Sequence, residues 1–184
     1  MEVQQKGSTG KSNGSRRGIE LFRATDGEPL TETQMPMECL DESVMAGFAK
    51  LAEAGGAEAG GEVVRCLFRE PQDDGLSLCY AWFKSGFLLP RHSHDADCVY
   101  YVIGGELKLG NQVLRKGDGF FVPCDVPYSY EAGPDGVEIL EFRNAARFNI
   151  LFRNNDEVYW ERMAESFRSN APQWQAETVP PSDR

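Results

Sequence analysis

Between residues 62 and 152 the sequence is a run of short apolar segments cut apart by turn residues, and this texture constrains the fold more than any other feature. The segments EVVRCLFR, LSLCYAWFK, CVYYVIG, ELKLG, GFFVP, PYSYEA, GVEILEF and RFNILF are separated by DDG, GG, GN, KGDG and GPDG. Glycine, proline and aspartate at such junctions supply the special backbone angles that tight turns need. Parallel pairing requires a crossover of a dozen or more residues, usually a helix, and none fits in these short gaps. The expected fold is therefore all-β, an antiparallel sandwich or small barrel.

The flanks read differently. Residues 1 to 18 are rich in Gly, Ser and basic groups and nearly devoid of large apolar side chains, which predicts a disordered tail. Residues 41 to 55 predict a helix, with Asp41 as its cap, Val44, Met45, Phe48, Leu51 and Ala52 on one face, and Gly55 at its end. The stretch 54 to 62, AGGAEAGGE, predicts a flexible link. After the strands, Tyr159 or Trp160, Met163 and Phe167 fall at helical spacing behind a cap at Asn155. The polar end is expected to be disordered, with Trp174 as its one anchor. Four segments follow from this: a tail over 1–18, an arm with one helix over 19–61, the β unit over 62–152, and a C-terminal helix and tail over 153–184.

Charge excludes some partners. Acids outnumber bases 29 to 19, for a net charge of -10, whereas nucleic-acid binding runs on Lys and Arg neutralising phosphates. An anionic membrane surface is disfavoured for the same reason. No apolar run approaches the roughly 18 residues of a membrane span, and the first thirty residues lack the apolar core of a secretory signal. A cytoplasmic location is the expectation. Five cysteines, at positions 39, 66, 79, 98 and 124, contain no CxxC pair, so free thiols in a reducing compartment fit better than a disulfide framework or zinc ribbon.

The chemistry concentrates in GFLLPRHSHDADCVYYVIGG, residues 86 to 105, which holds both histidines of the chain, His92 and His94. In an extended segment, side chains two apart project to one face. Two imidazoles side by side inside a small β unit suit a divalent metal, although a lone HxH arises often by chance.

The spacing around them carries a resemblance. Gly86, five residues, His92, Ser93, His94, three residues, Cys98, six residues and Gly105 resemble the first motif of the cupin family, which has Glu where this chain has Cys98. Downstream, KGDGFFVPCDVPYSY resembles the second motif: Gly117, five residues, Pro123, then Asp125 where Gly is usual and Tyr128 where the family has its third metal-binding His. The resemblance spans about residues 62 to 150. It implies a cupin-type jelly-roll β-barrel flanked by N- and C-terminal helices, a homodimer, and a small-molecule ligand or substrate.

Typical cupin sites use three His and one Glu, and this chain has two His in all. The resemblance puts Cys98 in the Glu position, with Tyr100 and Val102 lining the interior. A thiolate there favours one softer divalent ion, zinc, iron, nickel or copper, over magnesium or calcium. The expected set is His92, His94 and Cys98 on the metal, Tyr128 as proton donor or orienting group, and Tyr100, Tyr130 and Arg91 toward the substrate. Each residue also has a structural reading: Cys98 as a small buried hydrophobe, the tyrosines as core lining, Arg91 and Glu141 as ion-pair partners. Asp95 and Asp97 have the parity opposite to His94 and Cys98, so both read as solvated, with Asp97 able to complete a two-His, one-carboxylate set if the chain bulges. Three functions stay open: a metal-dependent oxygenase, isomerase, lyase or hydrolase; a small-molecule binding or sensory barrel, with or without metal; and a metal-free structural domain.

Overall fold

The computed structural model describes residues 18 to 38, 40 to 153 and 156 to 184. The expected tail, apart from Gly18, and Asn155 lie outside the described residues. Among those described, the chain runs through β1 (Glu28–Pro29), β2 (Met37–Glu38), α1 (Glu42–Glu53), β3 (Glu62–Arg69), β4 (Ser77–Phe83), β5 (His92–Ser93), β6 (Cys98–Leu109), β7 (Gln112–Arg115), β8 (Gly119–Val122), β9 (Glu131–Arg143), β10 (Ile150–Phe152) and α2 (Glu157–Ala176). A seven-stranded sheet has the order β1-β3-β4-β9-β6-β7, with β8 also pairing β6, and a three-stranded sheet has the order β2-β10-β5. The architecture is thus mostly sheet with two helices.

Side-chain alternation decides what faces inward. Along β6, Cys98, Tyr100 and Val102 are buried while Val99 and Tyr101 are exposed, the period of two that a half-buried strand imposes. Register carries that parity across the sheet: Tyr100 is opposite Glu141, which is opposite Cys79, which is opposite Cys66. At Gly105, φ is +69° and an added Cβ would lie 2.1 Å from the Gly136 carbonyl oxygen. Only glycine satisfies both demands, and the β6–β9 register shifts on each side of it.

Helix α1 is capped as expected, the Asp41 carboxylate accepting from Val44 N at 2.9 Å. Its buried face is different, however. Val44, Gly47 and Leu51 are covered, whereas Met45 and Ala52 are exposed. The helix turns toward Gly47 because Trp160 of α2 lies against that position, where a Cβ would come within 2.2 Å of the indole. The expected flexible link instead holds a 3-10 turn (Gly56–Ala59) with Ala59 buried against the helices.

Helix α2 is capped by Asp156, whose carboxylate accepts from Tyr159 N at 2.8 Å. It also runs on past the expected end. Trp174 is fully buried and its Nε1 donates to Ser85 O at 2.8 Å, so the amphipathic face continues through Ala176 despite Pro172. The final residues are likewise placed: a 3-10 turn (Pro181–Asp183) brings Ser182 N to Glu138 Oε2 at 2.5 Å, and the same buried carboxylate accepts from Tyr80 at 2.7 Å. A buried carboxylate needs such donors, and the C-terminus supplies one.

Candidate functional site

Segment pairing brings the two motif stretches together. Residues His92 and Tyr128 form an antiparallel bridge and exchange backbone bonds of 3.1 and 2.9 Å, while Phe152 of β10 pairs with His92 from the other side. His92 and His94 are both buried, with ring centroids 4.8 Å apart.

Each imidazole has its tautomer set by a backbone carbonyl. His92 Nδ1–H donates to Pro90 O at 2.7 Å, and His94 Nδ1–H donates to Asn149 O. A carbonyl can only accept, so in both rings the lone pair resides on Nε2. Burial pushes His92 down to about 4, with the Arg143 charge adding to the effect, and holds His94 well below its ordinary range. Both rings are neutral at pH 7.

A directed chain of hydrogen bonds leads away from His92. Its Nε2 accepts from the Tyr128 hydroxyl at 2.8 Å. Tyr128 in turn accepts from Tyr100, and Tyr100 accepts from Arg143 Nη2 at 3.3 Å. Arg143 can only donate and Pro90 O can only accept, which fixes the direction: Arg143 to Tyr100 to Tyr128 to His92 to Pro90. Burial raises both phenols above their ordinary values, so they hold their protons. Phe120 stacks on Tyr100 at 4.5 Å, and Tyr130 lies 6.3 Å from Tyr128.

Arg143 is the site's buried cation. Its Nη1 stands 2.7 Å from Glu141 Oε2, and its guanidinium carbon lies 4.2 Å from the Phe148 ring centre. Its Nε has no hydrogen-bond partner among the described residues. Burial, the largest influence, opposes the guanidinium charge, but Glu141 together with Tyr100, Cys98 and Cys79 outweighs it and holds the group above its ordinary value. Sequence reading gave Glu141 as an ion-pair partner, which it is, and missed its partner Arg143. The available signal was parity, since position 143 shares the face of position 141.

The other expected residues are distributed unevenly. Cys98 is buried beside Tyr100; its Sγ donates to Val99 O at 3.7 Å, and burial pushes its thiol up to about 12. Arg91 is exposed, next to buried His92, and its carbonyl accepts from Arg153 N at 2.9 Å. The Asp97 carboxylate accepts from Cys124 N at 2.8 Å and so holds the turn after β8. Asp95 is exposed, as expected, and its carboxylate also accepts from Asn149 N at 2.7 Å, while its own N–H donates to Asn149 Oδ1 at 3.0 Å. That clamp positions the carbonyl that orients His94. Among the described residues no three His, Cys, Asp or Glu side chains are grouped so as to hold one ion.

No family model matches the chain, and no curated protein matches it. Solved structures do. An RmlC-like cupin from Shewanella frigidimarina is 29% identical, with 46% of this chain and 76% of that one covered at a TM-score of 0.39. KdgF from a Halomonas species is 24% identical, with 46% and 79% covered and a TM-score of 0.39. The polyketide cyclase RemF from Streptomyces resistomycificus is 18% identical, with 60% and 84% covered and a TM-score of 0.47. The first of these is described as a cupin, the superfamily that this chain resembles.

Proposed function

We propose that the chain is a cupin-type protein that binds and transforms a small organic molecule at the His92–His94 pair, with one divalent transition metal held there. The observation that carries this reading is the shared tautomer: both rings are anchored through Nδ1–H to a carbonyl, so the lone pair of each neighbouring imidazole is on Nε2, and an ion at His92 takes the place of the bond that Tyr128 now donates there. Metal-ligating His residues are anchored in this way. The two imidazoles therefore fit zinc, iron, nickel or copper. Cys98 is proposed as the third donor, on the inner face beside Tyr100; it must first lose the proton that burial now holds on its sulfur.

When bound, such an ion supplies Lewis-acid polarisation or an activated water. The chain's own residues supply the rest. Tyr128 presents a proton at the Nε2 edge of His92, Tyr100 and Arg143 hold that phenol in direction, and Tyr130 and Phe120 give the site an aromatic wall. Arg91 is proposed at the approach to the site. The reading extends to a jelly-roll barrel over 62–152 with arms at both ends, in a cytoplasmic homodimer.

A second reading, an organic anion bound without metal, is favoured by one observation. Arg143 lies in the network, and its charge disfavours any cation near the imidazoles, lowering both. Elemental analysis of protein purified without a chelator or His tag, beside the His92→Ala/Cys98→Ser double variant, separates the two. About one equivalent of transition metal per chain, lost in the variant, supports the first. No metal in the wild type, and none taken up on reconstitution, overturns it in favour of the second. Under the first reading, Tyr128→Phe should leave metal content unchanged and alter turnover or ligand affinity.

A further inference from the structure

Two thiols outside this site, half-buried Cys66 and buried Cys79, lie side by side. Cys66 of β3 and Cys79 of β4 are direct cross-strand partners and share the inner face. Cys79 belongs to a small buried apolar cluster with Ala96 and Phe148, and Cys66 packs against it together with Leu30, Met35 and Ala145. The Cys66 thiol donates to Phe68 O at 3.5 Å, and neither Cys66 nor Cys79 is in a disulfide.

From this register we infer that Cys66 and Cys79 form a redox-active dithiol, which a hydroperoxide oxidises to a cross-strand disulfide. Directly opposed residues of an antiparallel pair have Cα atoms roughly 4.5–5.5 Å apart, inside the ~4.4–6.8 Å that a disulfide spans. Their Cβ atoms must draw slightly closer than a regular ladder sets them. The sheet provides for this, because the β3–β4 register shifts between Cys66 and Phe68, and a bulge bends and twists its strand locally.

The two thiols are unequal, as a stepwise oxidation requires. Cys66 is half-buried, whereas Cys79 is fully buried, and burial holds the proton on its sulfur. The accessible sulfur therefore reacts first. The Cys66 thiolate attacks one peroxide oxygen, the O–O bond breaks, and the second oxygen leaves as hydroxide, which takes up a proton to become water. The resulting sulfenic sulfur is then attacked by Cys79. Its S–O bond breaks as the S–S bond forms, and the oxygen departs as a second water carrying the Cys79 proton. Two thiols lose two electrons and two protons, and one hydrogen peroxide becomes two waters.

The test uses the full wild-type chain, treated with graded hydrogen peroxide, alkylated and digested with trypsin. Exposed Cys124 serves as the internal measure of dose. The expected result is the loss of two of the five thiols before Cys124 is oxidised, with the fragments cut at Arg65, Arg69 and Lys84 joined through positions 66 and 79. Dithiothreitol should restore both thiols. Cys79→Ser should abolish the link and leave a sulfenic acid at Cys66 that dimedone traps. Alkylatable thiols at both positions after Cys124 has been oxidised overturn the proposal, as does a link from either to Cys39, Cys98 or Cys124. If Cys79→Ser does not fold, the wild-type fragment map and its reversal decide alone.

Discussion

Arg143 and Glu141 are 3% and 7% exposed, and what each does to the site depends on the other. Together they place a fixed charge pair under Tyr100; separately, either one is an uncompensated ion in an apolar interior. Removing one partner of a buried pair costs about 3–5 kcal/mol, whereas replacing both with apolar groups can be close to neutral. Arg143→Met should therefore lower stability by about that amount, and Arg143→Met/Glu141→Leu should recover most of it, read from urea midpoints. Equal losses in both variants would contradict the pairing. His92 makes a second prediction at this scale, for the metal-free protein. The folded ring stays neutral down to about pH 4, while in the unfolded chain it takes up a proton near 6.5. Between those values the unfolded state binds more protons, so stability falls as pH drops through this window. The shift corresponds to about 3 kcal/mol for this one group, and His94 acts in the same direction. Urea midpoints measured from pH 7 to 4.5 should fall with acid, and more gently in His92→Gln; an unchanged slope in the variant would remove His92 from the account.

At the scale of elements, the contact between α1 and α2 turns on one glycine. Alanine is favoured over glycine in a helix interior by roughly 1 kcal/mol, so propensity alone makes Gly47→Ala stabilising. The indole of Trp160 occupies the position of the missing methyl, and overpacking of this kind costs typically 1–3 kcal/mol. Packing should win, lowering the thermal midpoint, with no loss in a Gly47→Ala/Trp160→Leu background beyond that of Trp160→Leu itself. The same glycine marks where sequence reading ran out. Strands β3, β4 and β8 were legible because turn residues bracket them and their periodicity is local, whereas β6 and β9 each run unbroken through a GG or GPDG that the sequence reading took for a turn. The face of α1 was not, because a gap that another helix fills leaves no apolar residue to count. Strands β1, β2 and β5 have two residues each and exist only through pairing with distant segments. The site divides in the same way. The His pair stood out by spacing and Tyr128 through the motif resemblance, whereas the Asp95–Asn149 clamp joins segments 54 residues apart, and buried Arg143 resembles any charged residue on a strand.

Among the described residues, one sheet face is left uncovered. Phe121, Val99 and Phe142 form a row across β8, β6 and β9, with Tyr101 one step along, and they are 57%, 47%, 46% and 45% exposed. Single exposed apolar residues are ordinary, but a contiguous patch on a folded monomer marks a contact surface. A second copy of the chain is the occupant proposed with the cupin-type reading. Each copy carries a net charge of -10, so two copies repel at long range while the patch itself is uncharged. Salt screens that repulsion within about 8 Å at physiological ionic strength and leaves apolar burial intact. Association through this face should therefore strengthen as salt rises from low to physiological levels, opposite to the behaviour of an interface built on ion pairs. Sedimentation of the wild type should show a dimer whose dissociation constant falls over that range. Phe121→Glu, placing a charge in the centre of the patch, should yield a folded monomer with an unchanged circular dichroism spectrum. A wild type that stays monomeric at high concentration and high salt would mean that this face has another occupant.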